Sequence, residues 1–146
     1  MEYTLRPARN EDREFLFRLR AASLGPYVAQ IWGWDEGEQR ERFERSFDPT
    51  HYRIVQTVDD IGAIEVERRE HEYYLSNIEL LPEHQEKGIG TELIRSVIAE
   101  ANRENVPVML QVFKINPARS LYERLGFITI GETSTHYQMY HPASAG

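Results

Sequence analysis

The pattern of apolar and polar residues changes its period along the chain. Between about residues 52 and 81 apolar and polar positions alternate, whereas before and after this stretch apolar residues recur every three or four positions. Alternation is typical of strands that bury one face, and the longer spacing is typical of amphipathic helices. The pattern predicts strands at 5–8, 52–58, 62–68, 73–81, 108–112, 127–131 and 137–140.

Helices are predicted for most of the remaining chain. Asn10 is a predicted N-cap for a helix that ends near residue 23, because the helix breakers Gly25 and Pro26 follow. A second helical region is predicted from residue 27 to residue 47, with interruptions near Gly33 and Gly37. The most strongly amphipathic helix is predicted from residue 89, and a shorter one at 117–125.

This order of elements predicts one α+β domain over residues 1–141, with a mixed, mostly antiparallel central sheet flanked by helices. Residues 142–146 are predicted to form a flexible tail. In the third strand of the central meander, Leu75 and Ile78 are three positions apart, which breaks the alternation. Either the strand carries a bulge between them, or one of the two faces a helix on the other side of the sheet.

Composition and charge exclude several classes of function. No stretch of the 146 residues approaches the roughly 20 apolar residues of a membrane span, and no basic and apolar leader opens the chain. We therefore expect a cytoplasmic protein without a membrane partner. The absence of cysteine excludes disulfides, thiolate metal ligands and an acyl-cysteine intermediate. The net charge of -7 argues against nucleic-acid binding, and it either attracts cationic amines or serves only solubility.

A glycine-containing loop joins the third meander strand to the amphipathic helix. It reads Gln85-Glu86-Lys87-Gly88-Ile89-Gly90. Glycines let a turn expose several N–H donors, and at the start of a helix these donors coincide with the positive end of the helix dipole. The loop is therefore a candidate phosphate site, to which Lys87 would add a positive charge, although a plain tight turn would use the same glycines. The order of its residues excludes a Walker A loop and a dinucleotide fingerprint.

The loop and a second segment together resemble the two signatures of the GNAT superfamily of N-acetyltransferases. The first is Gln85-x-x-Gly88-x-Gly90 between a strand and an amphipathic helix. The second is Asn116-Pro117-Ala118-Arg119-Ser120-Leu121-Tyr122-Glu123-Arg124-Leu125-Gly126-Phe127. The resemblance implies a GNAT-like sheet that splits between the third meander strand and the following parallel strand. The second segment departs from the common spacing, because Asn116 precedes Tyr122 by six residues rather than seven.

The resemblance implies a binding site for acetyl-CoA as cosubstrate. The strand backbone at Ile78 and Leu80 would pair with the pantetheine arm, and Asn116 would bond to the arm directly or through water. The loop and the start of its helix would bind the pyrophosphate through their backbone, and the residues assigned to this role are Gln85, Glu86, Lys87, Gly88, Ile89, Gly90 and Thr91. The side chain of Glu86 would point away from the phosphates.

The resemblance also implies transfer of an acetyl group to a primary amine of a small molecule or a protein. Tyr122 would be the general acid for the departing thiolate, or an aromatic residue that merely packs at helical spacing with its neighbours. Glu79 lies on the strand that borders the expected cleft and is the first candidate for the general base. Its alternatives are an ordered water molecule as the base and a solvated, outward-facing Glu79. A non-catalytic acyl-CoA sensor is the alternative function.

The region that would bind the acceptor carries no recognisable motif. Tyr27, Ile31, Trp32 and Trp34 precede the meander, and they either line an acceptor pocket or belong to the core. His136 either lines the acceptor end of the cleft or is a plain exposed histidine. The five histidines show no metal-binding spacing, so no metal is expected. Exposed strand edges and the aromatic helices would allow a homodimer.

Overall fold

The computed structural model describes residues 2–143. Within them the strands are β1 (Thr4–Pro7), β2 (Tyr52–Gln56), β3 (Asp60–Arg68), β4 (Tyr73–Leu80), β5 (Val108–Phe113), β6 (Ile128–Glu132) and β7 (His136–His141). The helices are α1 (Arg13–Ile31), α2 (Glu36–Ser46), α3 (Ile89–Arg103) and α4 (Ala118–Arg124), with short 3-10 helices at Asn10–Asp12, Pro49–His51 and Pro82–His84. Residues 144–146 of the predicted tail lie outside the described residues.

The strands form one sheet in the order β1-β2-β3-β4-β5-β7-β6, with helices on both faces. The pairings are antiparallel except for the parallel pair β4 and β5, which confirms the predicted fold class. One core lies under α1 and α2 and includes Leu16, Phe17 and Phe43. The other and larger core lies under α3 and α4, with Leu93 and Met139 fully buried in it.

The predicted bulge in β4 is confirmed. Val66 pairs with Leu75 and Glu65 pairs with Asn77, so Ser76 is an extra residue without a partner on β3. Because successive residues of a strand point to opposite faces, one extra residue moves every later side chain to the other face. Ile78 therefore faces the α3 core as Leu75 does, and Asn77 faces α1.

The predicted split of the sheet is also confirmed. The parallel strands β4 and β5 pair only at their beginnings, where Tyr73 lies beside Val108 and Tyr74 lies beside Met109. Beyond these two pairs the strands diverge, and no further pairing joins them within the described residues. The bulge at Ser76 lies two residues after Tyr74 of the last pair, which is consistent with its bending and twisting the strand away.

The predicted helix break at Gly25 and Pro26 is wrong, since α1 continues through both residues to Ile31. A proline within a helix removes one hydrogen bond, here to the carbonyl of Ala22, and Ala22 is exposed, so water can bond to that carbonyl. Buried Gly25 faces the ring of Trp34, so tertiary packing outweighs the local preference.

Two details of the helix ends also differ from expectation. Asn10 belongs to a 3-10 helix rather than capping α1, and buried Asp12 is the local anchor, accepting hydrogen bonds from the Arg9 N–H at 2.8 Å and from the Arg6 guanidinium. Of the two glycines predicted to interrupt the second region, only Gly33 lies in the connection, with a φ of 86°. Gly37 lies in the first turn of α2.

Gly62 is a position in β3 where any side chain would collide with β4. A Cβ there would lie 2.4 Å from the carbonyl oxygen of Glu79 and 2.6 Å from Cδ2 of Leu80. We expect Gly62→Ala to lower the free energy of unfolding by about 3 kcal/mol, because paired backbone cannot move aside cheaply. Urea denaturation measures this loss.

Gly37→Ala is the matched control, because the nearest atom to its added Cβ is Oδ1 of Asp35 at 3.4 Å. Alanine is the better helix former, so this variant should be as stable as the original protein or slightly more stable. Equal urea midpoints for Gly62→Ala and the original protein would contradict the close approach of β3 to β4.

Candidate active site

Two cavities meet in the opening between β4 and β5. The first, here called the loop cavity, has a volume of about 570 Å³ and extends along the 85–91 segment. The second, here called the split cavity, has a volume of about 290 Å³ and lies between the diverging strands. The four residues that line both cavities are Ser23, Ile78, Asn116 and Ala118. The two cavities therefore form one continuous site.

The loop cavity is bordered by backbone that a ligand can approach closely. Glu86 and Gly88 adopt left-handed conformations with φ values of 60° and 84°, and α3 begins directly afterwards at Ile89. A Cβ added at Gly88 or Gly90 would meet no atom within 4 Å. The arrangement places open space in front of the N-terminus of a 15-residue helix, which favours an anion.

The predicted loop residues do not all contribute in the same way. The lining of the loop cavity includes Gln85, Glu86, Gly88, Gly90 and Thr91, together with Ile78 and Leu80 of β4. Among the described residues, this lining does not include Lys87, which is exposed, or Ile89, whose side chain is buried in the core. Only the backbone of Ile89 is therefore available to a ligand.

Side chains reach the split from both faces of the sheet. After the bulge, Asn77 and Glu79 face α1, and on β5 Gln111 and Phe113 face the same way, opposite to the buried Val112. From the other face, α4 brings the side chain of Tyr122 to the split cavity. The cavity consequently passes through the sheet from the α4 face to the α1 face.

Interactions within the 116–127 segment position Tyr122 at the α4 end of this passage. Oδ1 of Asn116 accepts a hydrogen bond from the Ala118 N–H at 2.9 Å and so fixes the first turn of α4. The Tyr122 ring packs edge-on against Phe127 at a centroid distance of 5.6 Å. Burial raises the pKa of Tyr122 to about 12, so the hydroxyl keeps its proton at neutral pH.

Glu79 is buried beside the split, which excludes the solvated, outward-facing alternative. Its exposed fraction is 4%, and its Oε2 has no hydrogen-bond partner within the described residues. Burial raises the pKa of Glu79 to about 8, with a lowering by the charge of Arg20 and a further raising by Glu65. A carboxyl group with this pKa can take up and release a proton near neutral pH.

The comparison with known proteins agrees with this geometry. The model of the acetyltransferase (GNAT) family matches residues 13–127. The chain belongs to the GNAT acetyltransferase family. No curated protein matches the chain by sequence.

Solved structures of GNAT proteins share the fold at low sequence identity. The PaiA N-acetyltransferase from Thermoplasma acidophilum, solved in complex with coenzyme A, is 19% identical with a TM-score of 0.78, over 97% of this chain and 99% of that one. The ribosomal-protein-S18-alanine N-acetyltransferase from Escherichia coli is 21% identical with a TM-score of 0.72, over 99% of this chain and 97% of that one. A chain of the NatC complex bound to Gag peptide and CoA is 19% identical with a TM-score of 0.70, over 99% of this chain and 100% of that one.

In this GNAT chain a polar cluster lies next to Glu79, and it was not predicted from the sequence. Arg20 of α1 donates hydrogen bonds to the Tyr52 hydroxyl at 3.2 Å and to Oε1 of Glu65 at 3.1 Å. Asn77 donates to the same Glu65 oxygen at 3.0 Å. The available signals were an arginine at position 20, four residues after Leu16 on the buried side of a helix, and a glutamate inside the apolar strand β3.

The charges of this cluster provide a test of the environment of Glu79. We expect Arg20→Met to move the titration midpoint of the Glu79 carboxyl up by about one pH unit, because a cation that favours the carboxylate is lost. Glu65→Gln should move it down by a similar amount, because a like charge is lost. The carboxyl carbon resonance of Glu79, followed by NMR across pH in the unliganded protein, gives both midpoints.

Both substitutions break the same ion pair, so each controls for the structural damage caused by the other. A purely structural effect would move both midpoints in one direction. Shifts of equal sign would therefore contradict the electrostatic account of the Glu79 environment.

The aromatic residues that precede the meander divide between the site and the core. Tyr27 and Trp32 contact Phe113, with centroid distances of 5.8 and 6.1 Å, whereas Trp34 packs against the core under α1 and α2. Ile31 is the last residue of α1. Tyr27 and Trp32 therefore lie behind the wall that Phe113 gives to the split cavity, and their role in an acceptor pocket stays a prediction.

His136 lines the split cavity and is half-buried, so the plain exposed alternative is wrong. Its ring lies 4.2 Å from the Phe113 ring, and its Nδ1 is 2.8 Å from the Thr135 hydroxyl oxygen. Burial lowers the pKa of His136, so the imidazole is neutral at pH 7.

Residues 2–143 contain neither a cluster of metal-ligating side chains nor a helix suited to cross a membrane. There, no group of three or more His, Cys, Asp or Glu side chains is placed to hold a metal ion. No helix in the same range combines the length and the apolar character needed to cross a membrane.

Proposed function

We propose that this GNAT protein transfers an acetyl group from acetyl-CoA to a primary amine. The observation that carries the proposal is the placement of two groups of suitable pKa on opposite faces of one passage. Tyr122 keeps its proton and enters from the α4 face, whereas Glu79 titrates near neutral pH and lies on the α1 face. The amine would thus arrive from the α1 face, and the thiolate would leave toward α4.

The loop cavity would bind the cosubstrate. The backbone amides of the 85–91 segment at the N-terminus of α3 would hold the pyrophosphate, and the β4 backbone at Ile78 and Leu80 would pair with the pantetheine arm. Asn116 borders both cavities and would contact the arm near the thioester. Arg124 also lines the loop cavity and would add a positive charge for a phosphate group, a contribution that the sequence reading did not include.

The proposed reaction uses one bond made, one bond broken and two protons moved. The amine nitrogen attacks the thioester carbonyl carbon, the new C–N bond forms, and the C–S bond breaks. Glu79 takes the proton of the amine through a cavity water, since Oε2 is itself buried. The Tyr122 hydroxyl gives its proton to the departing thiolate, which leaves as free CoA. Bulk water then restores the starting protonation of both residues.

Release of free CoA separates an enzyme from a non-catalytic acyl-CoA sensor. Acetyl-CoA binding is measured by calorimetry, and thiol release is measured with amines and peptides added in turn. We expect micromolar binding and amine-dependent thiol release. Tight binding without release for any acceptor would instead support the sensor.

A further inference from the structure

The acceptor end of the split cavity carries no formal charge at neutral pH. The side chains that line it on the α1 face are Tyr74, Asn77, Gln111, Phe113 and His136, together with Ser23 and Leu24 of α1 itself. Burial raises the pKa of Tyr74 and lowers that of His136, so both rings are neutral at pH 7. The lining therefore offers hydrogen bonds and aromatic surface rather than counter-ions.

The charged groups nearest to this end are already engaged. Glu65 is paired with Arg20 at 3.1 Å, and Glu79 is the proposed acceptor of the proton from the reacting amine. At the outer edge, Arg69 lies over the Tyr74 ring at 5.1 Å and is paired with Glu67 at 3.0 Å. A second charge on the acceptor would thus enter the cavity without a partner, and an unpaired charge in such a place is costly.

An aromatic wall leads from this end of the cavity to the surface. Phe113 is 8% exposed and lines the cavity, and the rings of Tyr27, Trp32 and His136 surround it at 4.2 to 6.1 Å. Trp32 is 62% exposed, although a tryptophan is among the residues that gain most from burial. Its exposure beside a cavity wall fits a surface that a flat, apolar ligand covers.

We propose that the acceptor is a small arylalkylamine: a primary amine on a short chain whose only other prominent group is an uncharged aromatic ring. The ring would lie against Phe113 and Trp32, and the amine would point toward the split. Gln111, an exposed residue that lines the cavity, would bond to a neutral polar substituent through its amide. The inference rests on the proposed acetyl transfer and adds the class of acceptor.

Matched pairs of amines test the role of charge. Phenethylamine and phenylalanine differ by a carboxylate, and butylamine and 1,4-diaminobutane differ by a second ammonium group. We expect kcat/KM to fall by about 100-fold for the charged member of each pair, and phenylalaninamide to stay within about tenfold of phenethylamine. Equal kcat/KM values within a pair would overturn the proposal.

Two variants locate the selectivity in the cavity. Trp32→Ala should raise KM for phenethylamine by about three- to tenfold and leave KM for butylamine unchanged, because only the aromatic contact is lost. Gln111→Arg should raise kcat/KM for phenylalanine relative to phenethylamine by about tenfold, because it supplies a counter-ion. Ser96→Arg adds the same charge on the exposed side of α3 and should leave that ratio unchanged. Equal effects of the two arginines would contradict the assigned site.

Equilibrium binding distinguishes this inference from the proposed function. Tryptophan fluorescence in the presence of CoA reports binding of phenethylamine and of phenylalanine. Selective phenethylamine binding without turnover would overturn acetyl transfer and support the assigned ligand class. Turnover of the charged amines at the same rates as the uncharged ones would support acetyl transfer and overturn the assigned ligand class. A phenylalanine-initiated tripeptide amide with kcat/KM more than tenfold above phenethylamine would assign the site to peptides and overturn the small-amine proposal.

Discussion

Tyr122→Phe should lower kcat by about 100- to 1000-fold with any amine that the protein acetylates. The substitution removes one oxygen and its proton and keeps the ring that packs against Phe127. Because the hydroxyl is the proposed proton donor to the thiolate, its loss raises the barrier of C–S cleavage without removing a contact needed for cosubstrate binding. Stopped-flow thiol release measures kcat, and calorimetry should give an unchanged Kd for acetyl-CoA.

Tyr140→Phe is the control for this experiment. Tyr140 is also half-buried, but it pairs with Met109 near the beginning of β5, before the strands diverge, and it borders neither cavity of the active site. Its kcat should equal that of the original protein. A Tyr122→Phe protein with undiminished kcat across the pH range would remove Tyr122 from the chemistry and return it to a packing role.

Local patterns were sufficient to predict the strands of the sheet, and the resemblance to the GNAT superfamily implied where the sheet splits. The interruption of alternation between Leu75 and Ile78 indicated the bulge, and the bulge sets which face the rest of β4 presents. The glycine loop and the 116–127 segment are each a single continuous stretch of sequence. The geometry of each therefore depends on hydrogen bonds between near neighbours, such as the one from the Ala118 N–H to Asn116.

The course of α1 could not be predicted from local preference alone. Gly25 and Pro26 both disfavour a helix, and their combined cost is a few kcal/mol in an isolated peptide. In the folded chain, Gly25 packs beside Trp34 and Tyr27 reaches Phe113, and these contacts join residues 9 and 86 positions apart in sequence. Such pairings carry no local signature.

The same reason explains which parts of the site were missed. Arg20, Glu65 and Phe113 come from α1, β3 and β5, and only the assembled sheet places them around Glu79 and the split. The sequence predicted that Glu79 lies on a strand near the loop. Its burial could not be predicted, because it depends on the packing of α1 over β4.

Glu79→Gln should lower kcat at pH 8 by about 100-fold, because a neutral amide of the same shape cannot accept a proton from the amine. In the original protein, kcat at saturating amine should rise with pH around a midpoint of about 8, because the Glu79 carboxyl ionises there. This rise should be absent from the variant. Glu104→Gln, an exposed change on the loop after α3, controls for the loss of one negative charge and should leave the profile unchanged. A rise with the same midpoint in Glu79→Gln would assign the base to another group.

Glu79→Gln also has a stability effect that is independent of turnover. The folded pKa of Glu79 is about 8, above the unfolded value of about 4.5, so the folded state binds more protons than the unfolded state between these pH values. The contribution of Glu79 to the free energy of unfolding is therefore present below pH 4.5 and is lost as pH rises to 8, a loss of a few kcal/mol. Urea denaturation at pH 5 and pH 8.5 should show the original protein losing stability relative to Glu79→Gln over this interval. An equal change in the free energy of unfolding of the two proteins between these pH values would mean that the Glu79 carboxyl titrates as it does in the unfolded chain. The burial that raises its pKa would then be absent in solution.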